Sequence, residues 1–198
     1  MNADALLSRK PHAPPPMLTL WDEIGLPLSR VHEICGRARR SFALRIAAKT
    51  GAPVIWIAPA WDVNKLNAPG MAPWVDPGGF LFVSPRHLDD ILWCMEESLR
   101  SGAVPLVVAE LPEPPGMTPV RRLHLAAETG TTHGQHRPLG LILTPTGGAP
   151  GVETRWRMDP AHTPDSTGWR LERQRARMQP PKVWHLDEQG VSRGAPPA

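Results

Sequence analysis

Gly36 to Ala43 reads GRARRSFA and stands just ahead of a helix-type run, a place where an α/β protein can hold phosphate groups. A loop that grips a triphosphate follows the pattern G-x-x-x-x-G-K-[S/T]. Its backbone N–H groups wrap the phosphates, the lysine reaches the outer ones and the hydroxyl binds Mg²⁺. Counted from Gly36, the glycine, lysine and hydroxyl positions carry Ser41, Phe42 and Ala43, and none supplies what its position requires. What remains is basic. Arg37, Arg39, Arg40, Arg45 and Lys49 lie at or just inside the start of a helix, where the macrodipole is already positive. Such a set can take up an anion, a phosphate backbone or an acidic partner, or it can be a solvated basic face in an arginine-rich chain.

Other residues able to do chemistry are sparse. Glu110 closes an apolar run, LVVA, where a carboxylate could meet Mg²⁺, or serve as a structural or solvated residue at a strand end. The run WIAPAW offers no carboxylate until Asp62. Trp156, Trp169 and Trp184 are interleaved with Arg155, Arg157, Arg170 and Arg173, a combination that can stack bases and neutralise phosphates; packing of the rings in the core or at an edge is the other reading. His133 and His136 have no cysteine or carboxylate at metal-ligand spacing, so no metal site is expected. Cys35 reads as packed rather than reactive.

The elements that must position these residues alternate short β-type runs with helix-type runs, the pattern of a mostly parallel sheet with helical crossovers. Val54 to Ala58, Phe80 to Val83, Leu106 to Ala109 and Leu139 to Leu143 are apolar almost throughout, as strands buried on both faces are. Helices are predicted from Arg39 to Lys49, closed by Gly51; from Ser84, as N-cap, to Gly102; and from Pro119 to Thr129, closed by Gly130. After residue 152, ETRWRM, WRLERQRAR and KVWHL alternate in character and read as half-exposed antiparallel strands added at one edge. The organisation expected is a Pro-rich leader over 1–17, one domain over 18–188 and a tail over 189–198, both ends disordered.

The 198 residues are 41% hydrophobic and 21% charged, with a formal net charge of +3, which fits a soluble globular chain and excludes neither nucleic acid nor protein partners. No apolar run is long enough to span a bilayer. With no signal-type leader and only Cys35 and Cys94, a reducing cytoplasm is the expected compartment.

Gly25 to Gly36 (GLPLSRVHEICG), Leu99 to Val104 (LRSGAV) leading into PLVVAEL, and the late stretch WRLERQRARMQPPKVWHLDE resemble, in order, segments of RecA-like proteins over roughly Gly25 to Glu188. RVHEICG, KLNAPGMAPWVDPG, LRSGAVPLVVAELP and RRLHLAAE are similar to phrases of the ImuA family within that group. This resemblance implies a RecA-like α/β core with Glu110 at the Walker B position and a degenerate P-loop at Gly36, Arg37, Arg39, Arg40 and Ser41, several residues shorter than in RecA. It implies no bound nucleotide cofactor and no ATP hydrolysis. The function it implies is that of a non-catalytic accessory protein in damage-induced translesion synthesis, contacting a Y-family-like protein (ImuB) and an error-prone polymerase, with RecA filaments as a further candidate. The two loops that hold DNA in RecA-like filaments correspond to Pro112–Met117 and Pro145–Val152, too short and proline-rich to reproduce that grip. The alternatives are a SulA-type division inhibitor, also a small nucleotide-free RecA relative, and a divergent NTPase using Arg39 or Arg40 in place of the lysine.

Overall fold

The computed structural model describes residues 16–21, 23–177 and 179–191. A short hairpin of β1 (Met17–Trp21) and β2 (Ile24–Pro27) opens the fold. There follow β3 (Val31–Cys35), α1 (Arg39–Thr50), β4 (Val54–Ile57), the single-turn α2 (Ala68–Met71) and β5 (Phe80–Val83). The remainder runs α3 (Leu88–Ser101), β6 (Leu106–Glu110), α4 (Met117–His133), β7 (Leu139–Leu143), β8 (Thr154–Pro160), β9 (Trp169–Ala176) and β10 (Lys182–Leu186).

Eight of these strands form one sheet in the order β10-β9-β8-β3-β7-β6-β4-β5. From β8 to β5 all neighbours are parallel, while β9 and β10 are antiparallel additions at one edge. This is the predicted α/β architecture with a mostly parallel sheet. Helix α1 and the β1–β2 hairpin pack on one face, where Phe42, Ile46, Trp56, Leu141 and Trp156 share a core. Helices α3 and α4 cover the other face through Ile91, Met95, Leu99, Val120, Leu123 and Ala127. Strands β6 and β7 are buried along their whole length, which explains their uninterrupted apolar sequences.

Two helices depart from the predicted bounds. The helix expected from Ser84 starts at Leu88, with His87 at the N-cap position, because the Pro85 carbonyl accepts from the Ala60 amide at 2.8 Å and ties this segment to the loop after β4. Helix α4 runs through Gly130 and ends before Gly134. A Cβ at Gly130 would lie 2.0 Å from the Leu99 carbonyl oxygen, so this glycine serves the close approach of α3 and α4 rather than a helix end.

At the chain ends, Met17 already belongs to β1, and Gln189 to Val191, expected in the tail, close a turn in which Asp187 accepts from the Gln189 and Gly190 amides. The rest of the expected leader and tail, residues 1–15 and 192–198, lies outside the described residues.

Candidate functional site

The carboxyl ends of β3, β4, β6 and β7 meet the start of α1, the crevice where open α/β sheets bind ligands. Only Gly36, Arg37 and Ala38 separate β3 from α1. Gly36 adopts φ +92°, and a Cβ there would come within 2.5 Å of the Met158 carbonyl oxygen, so the turn requires glycine and is pressed against β8.

The amides of this turn point at groups of the chain itself. Gly36 N–H donates to the Pro145 carbonyl at 3.2 Å and Ala38 N–H to the Met158 carbonyl at 2.9 Å. Arg37 N–H donates to Asp159 Oδ1 at 2.9 Å. Asp159 thus supplies an internal anion at the positive end of α1. Burial alone would raise its carboxyl, but the Arg37 amide and the Arg157 guanidinium outweigh burial and hold it below the ordinary value.

Of the basic residues predicted at the loop, Arg40 is the most constrained. Its guanidinium lies 2.7 Å from Glu110 Oε2 and 2.9 Å from Asp62 Oδ2. Glu110 is 5% exposed, and its other oxygen accepts from Trp56 Nε1 at 2.8 Å. Both carboxylate oxygens of this strand-end residue are therefore engaged by the chain's own donors. Arg39 bonds back to the Gly36 carbonyl at 3.2 Å and lines a cleft of about 300 Å³ with Trp61, Val63 and Pro112. Arg37 is exposed and Ser41 half-buried. Phe42, at the lysine position, is fully buried and stacks edge-on with Trp156.

The structure does not bring the tryptophans and arginines of the late strands together on one surface. Trp156, Trp169 and Trp184 are buried in the core beneath α1. Arg155, Arg157 and Arg170, at positions of opposite parity, emerge on the other face and pair with Glu33, Asp159 and Glu172. Arg173 shares the parity of Trp169 and is itself buried, with its guanidinium 5.1 Å from the Trp184 ring centre. The basic–aromatic surface expected from the sequence is therefore not formed: period-2 alternation sends the two residue types to opposite faces.

Three buried polar residues have structural roles that the sequence did not single out. Glu33, in the middle of β3, accepts from Thr144 Oγ1, the Gly148 and Ala149 amides and Arg155 Nε, which clamps the loop over 145–152 to the sheet. His32 donates from Nε2 to the Pro27 carbonyl at 2.9 Å and accepts from Thr154 at Nδ1 at 2.7 Å; burial pushes it down to about 3. Arg45, expected on the basic helix face, is 5% exposed and sandwiched between Trp74 and Trp169, with ring centres 4.2 and 4.4 Å away. Cys35 is buried, and desolvation followed by the Glu33 charge pushes its thiol up to about 11, far from a reactive thiolate.

Among the described residues no helix is long and apolar enough to cross a membrane, and no group of three or more metal-ligating side chains converges. No protein-family model matches the chain. It is similar to Protein ImuA of Caulobacter vibrioides in the strains NA1000 and CB 15, with 32% identity over 87% of this chain and 80% of the relative.

Proposed function

The chain belongs to the ImuA family, and on that footing we propose that it is a non-catalytic RecA-like adaptor in SOS-induced translesion synthesis, working in the cytoplasm through protein–protein contacts. Its partners in this reading are a Y-family-like protein of the ImuB kind, an error-prone polymerase and RecA filaments. The observation that supports the proposal is that the polar groups around the β3–α1 turn are bonded to one another. Three residues connect β3 to α1, and the other five of the eight positions counted from Gly36, Arg39 to Ala43, already lie in the helix. The amides that would wrap a phosphate donate to Pro145, Asp159 and Met158. The guanidinium of Arg40 is shared by Glu110 and Asp62, so neither it nor Glu110 is free for a γ-phosphate or Mg²⁺. A fold kept intact around a crevice whose turn amides, Arg40 and Glu110 are bonded to one another retains its surfaces as its working parts.

Co-purification of the full chain with the Y-family-like protein, the polymerase and RecA tests this reading. Complexes are expected that persist when nucleotide and Mg²⁺ are removed. Binding to none of the three, or binding that requires hydrolysable ATP on this chain, contradicts it.

A further inference from the structure

Helices α3 and α4 cover only part of their face of the sheet, and beside α4, at the ends of β8 and β9, an open groove of about 520 Å³ remains. One lateral stripe of α4 forms its wall. Met117, Arg121, Leu125 and Glu128 recur at spacings of four, four and three residues, which places them on one helix face, distinct from the core-facing Val120, Leu123 and Ala127. The opposite wall carries Arg175 and Arg177. His124 forms the base, accepting from the Val31 amide and donating to the Gly151 carbonyl; burial keeps it below its ordinary value.

The charges of this groove do not balance. Its two glutamates, Glu128 and Glu153, both pair with Arg30. Among the described residues, Arg121, Arg175 and Arg177 have no carboxylate within ion-pairing distance. The β8–β9 register sets Arg175 opposite Arg155, a like-charge cross-strand pair that costs stability, and Arg155 is already committed to Glu33. Between the cations lie two apolar side chains open to solvent, Leu125 at 61% and Met117 at 42% exposure. We propose that this groove is a docking site for an acidic amphipathic segment of a partner protein, whose carboxylates meet Arg121, Arg175 and Arg177 and whose apolar side chains cover Leu125 and Met117.

Nucleic acid fits the same surface less well. A single strand needs aromatic platforms for its bases; no tryptophan or phenylalanine lines this groove, the ring of His124 is held at its base by the Val31 amide and the Gly151 carbonyl, and the tryptophans of the adjoining strands face away into the core. Aliphatic anchors within a cationic rim instead match a peptide that carries both leucines and carboxylates. The chain's terminal segments outside the described residues contain Arg9, Lys10 and Arg193 against a single acid, Asp4, so their charge does not complement the groove.

This inference names a surface for the adaptor reading and rests on it, but its test is separate from partner co-purification. The full chain is titrated, by fluorescence anisotropy, into three fluorescein-labelled probes of twelve units: a peptide of alternating glutamate and leucine pairs, an all-glutamate peptide and oligo(dT). The mixed peptide is expected to bind at least tenfold more tightly than either other probe. R175E/R177E and L125S are each expected to weaken it at least tenfold, with unchanged circular dichroism. The proposal is overturned by no saturable binding of the mixed peptide, by tighter binding of oligo(dT), or by affinity unaffected in either variant. Any of these leaves the adaptor reading intact on another surface, whereas failed co-purification with an occupied groove faults that reading alone.

Discussion

Replacing Glu110 by alanine distinguishes a structural carboxylate from a metal-facing one. In the folded chain Glu110 accepts from Trp56 Nε1 and from the Arg40 guanidinium, and it is almost wholly withdrawn from water. Its loss strands the Trp56 N–H, a buried donor whose desolvation costs about 1–3 kcal/mol when unmet, and leaves Arg40 with Asp62 as its remaining acid. Arg40 is only partly buried, so the ion-pair contribution is discounted toward the surface range. Together these give a loss of roughly 1–4 kcal/mol, or about 2–16 °C in Tm for a chain of this length. Urea unfolding followed by tryptophan fluorescence measures it directly. A cycle with Arg40→Ala is expected to show coupling of about 1–2 kcal/mol, because the two side chains share one contact. Unfolding of Glu110→Ala within about 0.5 kcal/mol of the parent, the range of an ordinary surface change, would refute the reasoning and make Glu110 a solvent-facing group available to a cation.

Further outcomes follow from the buried polar residues and the helix contact. His32 is held neutral, its folded value near 3 against 6.5 when exposed. The unfolded chain therefore takes up its proton first, and stability present above pH 6.5 is lost as pH falls toward 3, by about 2 kcal/mol between pH 7 and 5. Equilibrium unfolding across that interval should flatten in His32→Gln; an unchanged slope would show that His32 is not the titrating group. Glu33→Gln loses the charge that four donors converge on and should cost about 2–4 kcal/mol, with faster amide exchange at Gly148 and Ala149; protection equal to the parent's would argue against the clamp. Gly130→Ala forces a Cβ against the Leu99 carbonyl and should destabilise by about 3 kcal/mol or more, whereas neighbouring Thr129→Ala should cost less than about 1 kcal/mol; equal effects from the two would contradict the close crossing.

Strands β6 and β7 were legible because burial on both faces leaves an uninterrupted apolar run. The similar run Phe80–Val83, expected to be buried on both faces, is instead the edge strand β5, with Leu81 and Phe82 exposed because no further strand or helix among the described residues covers them. The late strands were legible as strands from their alternation, and the same alternation separates Trp156 from Arg155 and Arg157 on opposite faces. A linear count of basic and aromatic residues hides that separation. Ser84 and Pro85 match the chemistry of a helix start, but a hydrogen bond from Ala60, more than twenty residues away, claims the segment for a loop. Gly130 could be read as a stop only in ignorance of α3, whose Leu99 carbonyl occupies the space of its side chain. Arg45, Glu33 and His32 were illegible for a related reason. A charged or polar residue is buried when its partners come to it, and the partners of Glu33 stand more than 110 residues later in the chain. At the crevice, the absence of lysine and hydroxyl was plain in Ser41, Phe42 and Ala43. That Asp159 meets the Arg37 amide and Arg40 meets Glu110 depended on the approach of β8 and β6 to the turn.

The central claim is that the polar groups around the β3–α1 turn, bonded to one another, hold no triphosphate, and equilibrium titration of the full chain with a fluorescent ATP analogue and Mg²⁺ tests it most directly. The expected result is no saturable binding up to millimolar analogue, in the parent and in Arg40→Ala alike. Micromolar binding accompanied by sustained turnover, with both lost on altering residues 36–41, would contradict the account and favour an NTPase built around Arg39 or Arg40.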